Sequence, residues 1–130
     1  MSSNVIKVRK AEGKIKQLVQ VNANSFFADE PEPIGNGEGP NPHDLLDASL
    51  GVCTAMTVMM VAQRKQWPLQ DVRVEITHEE DEANYKMLRK IELVGALTEE
   101  QRTYLMGIAN KCPIHKALHK KFEVESSLVA

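Results

Sequence analysis

A mixed fold of antiparallel strands and helices is what this sequence predicts, on three observations. Short β-prone stretches lie near the N-terminus, one long apolar segment with helix-start signals fills the middle, and a period-two strand pair leads into a capped helix. At 130 residues the chain has room for one domain with a real core. It is short enough that an obligate partner would help to bury its apolar surface. We expect a single domain over 1–130, made of N-terminal strands (1–28), a glycine and proline loop (29–42), a central helix (43–66), a strand pair (70–97), helices (98–120) and a C-terminal strand (122–128).

Val5 to Val8, Gln17 to Val21 and Ser25 to Ala28 are β-prone and are separated by the turn-like Ala11-Glu12-Gly13 and Asn22-Ala23-Asn24, which predicts a small antiparallel sheet. From Asp29 to Pro42 the glycines and prolines exclude regular structure. The run Gly35-Asn36-Gly37-Glu38-Gly39 lacks the Lys and Ser or Thr of a phosphate loop and reads as a flexible connection leading toward the site. Asn41 is the expected N-cap of the central helix, with Pro42 in its first turn and Asp44 and Asp47 complementing the positive end of its dipole. Trp67-Pro68 stops it. The stretch Ala48 to Gln63 is nearly uncharged but holds Ser49, Gly51, Thr54 and Thr57, so it falls short of a membrane span. It reads as a helix apolar on almost every face, demanding cover on all sides, much of which a second subunit could supply.

Beyond the helix, Val72, Val74 and Ile76 alternate with polar residues, and Ile91 and Leu93 repeat the pattern across a solvated hairpin loop, Glu79 to Asn84. Thr98-Glu99-Glu100-Gln101 is a capping box. The apolar stripe of the helix it opens, Leu105, Ile108 and Ala109, runs on to Cys112, which should therefore point inward. Pro113 restarts a short helix to about Lys120, and Phe122 and Val124 alternating with Glu123 and Glu125 predict a last strand.

A net charge of −2 gives no basic field for a phosphate backbone, and one tryptophan, two tyrosines and three phenylalanines offer little for base stacking. Nucleic acid is not an expected partner. The start, Met1 to Lys10, carries no apolar signal core, so a cytoplasmic location is expected. In that reducing compartment two cysteines are free thiols, a metal ligand or a catalytic pair rather than a structural crosslink.

Those two cysteines carry the functional argument. Cys53 lies inside Leu50-Gly51-Val52-Cys53-Thr54-Ala55-Met56, and Cys112 lies in Lys111-Cys112-Pro113-Ile114-His115. They are too far apart in sequence for a redox turn, so only tertiary structure could join them. If their sulfurs meet, the chain is a thiol redox protein. A helix beginning at Pro113, with Lys111, His115 and Lys116 nearby, favours an anion at Cys112. Cys53 has only Val52, Thr54 and apolar next-turn neighbours locally, and burial alone works against its thiolate. Read blandly, both are small buried hydrophobes. Cys112, His115 and His119 also have a spacing that could present zinc-type ligands, although Lys111, Lys116, Lys120 and Lys121 would repel a cation.

Gly39-Pro40-Asn41-Pro42, Leu45-Leu46, Ala48 to Cys53, and Cys112-Pro113-Ile114-His115-Lys116-Ala117-Leu118 together resemble the OsmC/Ohr family of osmotically induced and organic hydroperoxide resistance proteins. Ala28-Asp29-Glu30-Pro31 and Arg64 to Leu69 resemble a compact OsmC-like subgroup. The resemblance implies an α+β fold, an intertwined homodimer with antiparallel sheets wrapped around long central cysteine-bearing helices. It also implies that Cys53 attacks an organic hydroperoxide and Cys112 resolves the sulfenic acid as a disulfide. An external dithiol, of lipoyl type or similar, would recycle it, without metal, haem or flavin. Met56, Met60 and partner side chains would wall an apolar substrate site. Aligned on the same motifs, His43 stands where peroxidatic relatives carry a glutamate, with Asp44 adjacent, and Arg9 is the only arginine before the helix. These three are the candidate assisting residues. The other reading is a dimeric binding or stress protein of the same fold, whose thiols only pack and whose interface pocket holds an apolar ligand.

Overall fold

The computed structural model describes residues 4–129, and its contacts gather into two compact units, residues 1–46 and 47–130. The start of the sequence at Met1 to Ser3, used in the localisation argument, lies outside the described residues. In the first unit, β1 (Ile6–Lys10), β2 (Gln17–Val21) and β3 (Asn24–Ala28) form an antiparallel sheet in that order. Its register pairs Ile6 with Val21 and Gln17 with Ala28. The tight β2–β3 turn rests on Asn22 at φ 54, a left-handed conformation that asparagine tolerates better than most residues.

The loop that follows is not the flexible connection its composition suggests. Asp29, only 4% exposed, organises it: its carboxylate accepts from the amides of Glu30 (2.8 Å), Asn36 (3.2 Å) and Glu38 (3.2 Å). Gly35 admits this closeness, since a Cβ there would stand 2.2 Å from the Glu30 carbonyl oxygen. Lys14 ties the same loop to the sheet side, its amide donating to Asn36 Oδ1 at 3.0 Å.

Helix α1 (Pro42–Arg64) starts as its sequence requires. The Asn41 side chain accepts from the Asp44 amide at 2.8 Å, and the Asp44 carboxylate accepts from the Asn41 amide at 3.3 Å, so both orphan donors are satisfied. The helix continues into the second unit, where Asp47, Leu50, Thr54, Val58 and Val61 are buried at three- or four-residue spacing, with Ala62 beside the last of them. Val58, Val61 and Ala62 form a core with Val72, Leu93, Leu105 and Ala109.

Within the single chain only one face of α1 is covered. Val52, Met56 and Met60, four residues apart on the other face, are 56%, 57% and 62% exposed. By length and composition α1 is apolar enough to cross a membrane, with mean hydropathy 1.8 over its best 18 residues. The count of apolar residues had put it short of a span. Its buried face, however, lies on a two-stranded sheet with open backbone edges, an arrangement that hydrocarbon does not tolerate.

The strands β4 (Leu69–Glu80) and β5 (Tyr85–Gly95) pair antiparallel, with Val72 opposite Leu93 and Val74 opposite Ile91. Gly51 of α1 faces this sheet: a Cβ there would make ordinary van der Waals contact with Ile76 Cδ1 at 3.4 Å. The Asp81 carboxylate accepts from the amides of Ala83 (2.9 Å) and Asn84 (2.8 Å), closing a hairpin loop shorter than expected. Helix α2 (Glu99–Ala109) opens on the Thr98 capping box, and α3 (Pro113–Ala117) opens on Cys112. The expected C-terminal strand is absent: residues 121–129 take no strand conformation. Alternation at Phe122 and Val124 describes a strand's faces but supplies no ladder partner, and these side chains are 65% and 86% exposed.

Candidate thiol site

Cys53, half-buried on α1, and Cys112, fully buried at the start of α3, are both free cysteines. The Ile114 amide donates to Cys53 Sγ at 3.5 Å, and the next amide, His115, donates to Cys112 Sγ at 3.3 Å. Two sulfurs remote in sequence therefore engage successive backbone amides of one turn. Cys112 reaches this position because it is the N-cap of α3, with extended φ −65 and ψ 146 and its sulfur doing the capping. The inward stripe Leu105, Ala109 and Cys112 is fully buried, as the spacing requires.

Thr54, beside Cys53, faces the other sulfur. Its Oγ1 lies 3.9 Å from Cys112 Sγ and donates to the Leu50 carbonyl at 2.7 Å. A hydroxyl has one proton, so with Leu50 holding it, the Cys112 S–H is the donor in the thiol contact. Thr57 Oγ1 lies 3.9 Å from Cys53 Sγ.

The cation of this region is Arg89, which the sequence reading passed over. Nη1 donates to Thr54 Oγ1 at 2.9 Å and to the Ala109 carbonyl at 3.2 Å, and Nη2 donates to Asn110 Oδ1 at 2.7 Å. A signal for it existed. Tyr85, Met87, Arg89, Ile91 and Leu93 are the less exposed positions of β5, so an arginine stands in phase with the face that turns to the core. Burial, the Arg89 charge and the His119 ring together push the His115 imidazole below its ordinary 6.5, towards the neutral form.

Arg9, His43 and Asp44 belong to the first unit. Arg9 is an exposed residue of β1 paired with Leu18, His43 is exposed in the first turn of α1, and Asp44 serves the helix cap. The zinc spacing does not become a site. His119 lies beyond the end of α3 and its Nδ1 sits 2.7 Å from the His115 carbonyl oxygen. No group of three or more His, Cys, Asp or Glu that could hold a metal occurs among the described residues.

A second polar cluster also escaped the sequence reading. Asp47 of α1 accepts from the Tyr85 hydroxyl at 2.7 Å, with His78 Nδ1 2.5 Å from its other oxygen. The imidazole stacks on the Tyr85 ring with centroids 4.8 Å apart. His78 and Tyr85 fall on the less exposed sides of β4 and β5 near the hairpin tip, where composition alone suggests only solvated residues.

Comparison with known proteins follows the same lines. A family model described as OsmC-like protein matches residues 35–127. No curated protein matches significantly by sequence. Among solved structures, a Psychrobacter arcticus protein described by an osmotic stress induced and detoxification response superposes with TM-score 0.77, at 21% identity over 92% of this chain and 90% of its own. An organic hydroperoxide resistance protein OsmC from Legionella pneumophila gives 0.66 at 19% identity, covering 92% and 90%. The organic hydroperoxide resistance protein OhrB of Bacillus subtilis gives 0.60 at 20%, covering 88% and 90%. At these identities the likeness establishes a shared α+β fold.

Proposed function

Because the chain belongs to the OsmC-like protein family, we propose that it is a thiol-dependent peroxidase acting on organic hydroperoxides in a peroxide-related stress response. Neighbours of the same fold named for organic hydroperoxide resistance support the substrate class. The observation that carries the reading is the pair of sulfurs on successive amides, Ile114 to Cys53 and His115 to Cys112. Amide donors favour negative charge on sulfur, and the thiolate is the attacking form.

Cys53, the less buried sulfur, attacks the terminal peroxide oxygen. The O–O bond breaks, the alkoxide leaves and is protonated to the alcohol, and Cys53 becomes a sulfenic acid. Cys112 sulfur then attacks Cys53 sulfur. An S–S bond forms, the S–O bond breaks, and the Cys112 proton leaves with hydroxide as water. An external dithiol, such as a lipoyl group, returns both thiols. The exposed stripe Val52, Met56 and Met60 supports a homodimer, in which a second copy covers it and the same apolar surface favours alkyl over hydrogen peroxide. A cytoplasmic setting fits a cycle that starts from reduced thiols.

The test is peroxide consumption by wild type, Cys53→Ser and Cys112→Ser with a dithiol supplied. Cys53→Ser should lose the first turnover, and Cys112→Ser should keep a single turnover and then stop. Thiols left unreacted by stoichiometric alkyl hydroperoxide would replace this reading with that of an apolar-ligand binding protein.

A further inference from the structure

We propose that Arg89 is a positioning residue of the thiol pair, one guanidinium that ties the segment carrying Cys53 to the segment carrying Cys112 and sets the second sulfur for disulfide closure through Thr54. The inference rests on the peroxidase reading above. Thr54 follows Cys53 on α1, and Ala109 with Asn110 immediately precedes the Cys112 turn at the end of α2. Arg89 donates to all three at 2.9, 3.2 and 2.7 Å. The planar fork of an arginine serves three acceptors on two elements from two separate nitrogens, whereas a lysine would have to reach all three from one.

Its place in the sheet strengthens the case. Arg89 stands opposite Ile76 and between Met87 and Ile91 on the less exposed side of β5, where a methionine or leucine would be buried at no desolvation cost. The guanidinium also takes up one lone pair of Thr54 Oγ1. With the hydroxyl proton on Leu50, the remaining lone pair receives the Cys112 S–H, which fixes the direction of that thiol. When Cys112 sulfur attacks the Cys53 sulfenic sulfur, its proton passes to the departing hydroxide. The nearby Arg89 charge then favours the thiolate character that develops on Cys112.

The experiment separates oxidation from closure. Reduced protein is mixed with one equivalent of alkyl hydroperoxide, Cys53 sulfenic acid is captured with a cyclic dione, and the disulfide is followed by intact mass. Arg89→Met should form the sulfenic acid within about twofold of the wild-type rate but close the disulfide about tenfold more slowly, the scale of one charge-assisted hydrogen bond. Thr54→Val should slow closure likewise, and Thr54→Ser should restore it. A helix-end tie alone would not distinguish Thr54→Val from Thr54→Ser. Closure at the wild-type rate in folded Arg89→Met or in Thr54→Val overturns the proposal. If wild type forms no sulfenic acid, the peroxidase reading fails instead. Closure driven by a diazene thiol oxidant, which takes up both electrons and both protons, then still decides: equal rates for wild type and Arg89→Met overturn the role of Arg89.

Discussion

Replacing Asp47 by alanine should destabilise the second unit by about 3 kcal/mol, the sum of roughly 1.5 kcal/mol for each of two hydrogen bonds to an ionised acceptor. The lower end of the usual range applies, because the His78 side chain keeps 29% of its surface against 12% for Asp47. The lost bonds are those from the Tyr85 hydroxyl and His78, which join the second turn of α1 to the far end of the hairpin. In a domain of this size about 1 kcal/mol moves Tm by roughly 4 °C, so the variant should melt about 12 °C lower. Urea titration with fluorescence and circular dichroism gives the free energy directly. Tyr85→Phe removes one bond and should cost about 1.5 kcal/mol, and combined with Asp47→Ala it should fall short of additivity by a similar amount. A loss below about 1 kcal/mol in Asp47→Ala, or strict additivity in the double variant, would refute the claim that the cluster clasps helix to sheet.

Two pH effects follow from local electrostatics. His115 should titrate below 6.5 by proton NMR, and Arg89→Met should move its midpoint upward by removing one of the charges that hold it down. Because its folded value is lowered, its contribution to stability is complete above the unfolded value and is lost as pH falls through the folded one; a midpoint at or above 6.5 would contradict the packing described. At Asp29, burial pushes the carboxyl up, but the amides of Glu30, Glu38 and Asn36 with Lys16 outweigh it and hold the group below its ordinary value. Its stabilisation should therefore be present above about pH 4 and lost in stronger acid, and Asp29→Asn should flatten that acid limb. An unchanged acid limb would show that the loop does not depend on this carboxylate.

What could be read in advance was what neighbouring residues decide. Asn41 and Thr98 cap their helices because a side-chain oxygen and an amide three residues on are enough to do so. Cys112 turns inward because helical spacing carries Leu105 and Ala109 onto it. Less legible were features set by groups distant in sequence. The cradle around Asp29 draws on amides seven and nine residues away, so its loop showed only glycine and proline. Arg89 and the Asp47, His78 and Tyr85 cluster depend on two strands registering against α1, and each side chain alone resembles a surface residue. Phe122 and Val124 failed in the opposite sense, since their alternation is local whereas a strand needs a neighbour.

The unequal burial of the two sulfurs would give the proposed thiol cycle a direction. Cys112 has no exposed surface, whereas Cys53 keeps some. Were the two joined, a reductant arriving from solvent would find only the Cys53 end within reach, so the mixed disulfide would form there and Cys112 would depart as the leaving group. Recycling would then enter by the same door as oxidation, and a bulky thiol shut out from Cys53 would have no way round by the other side.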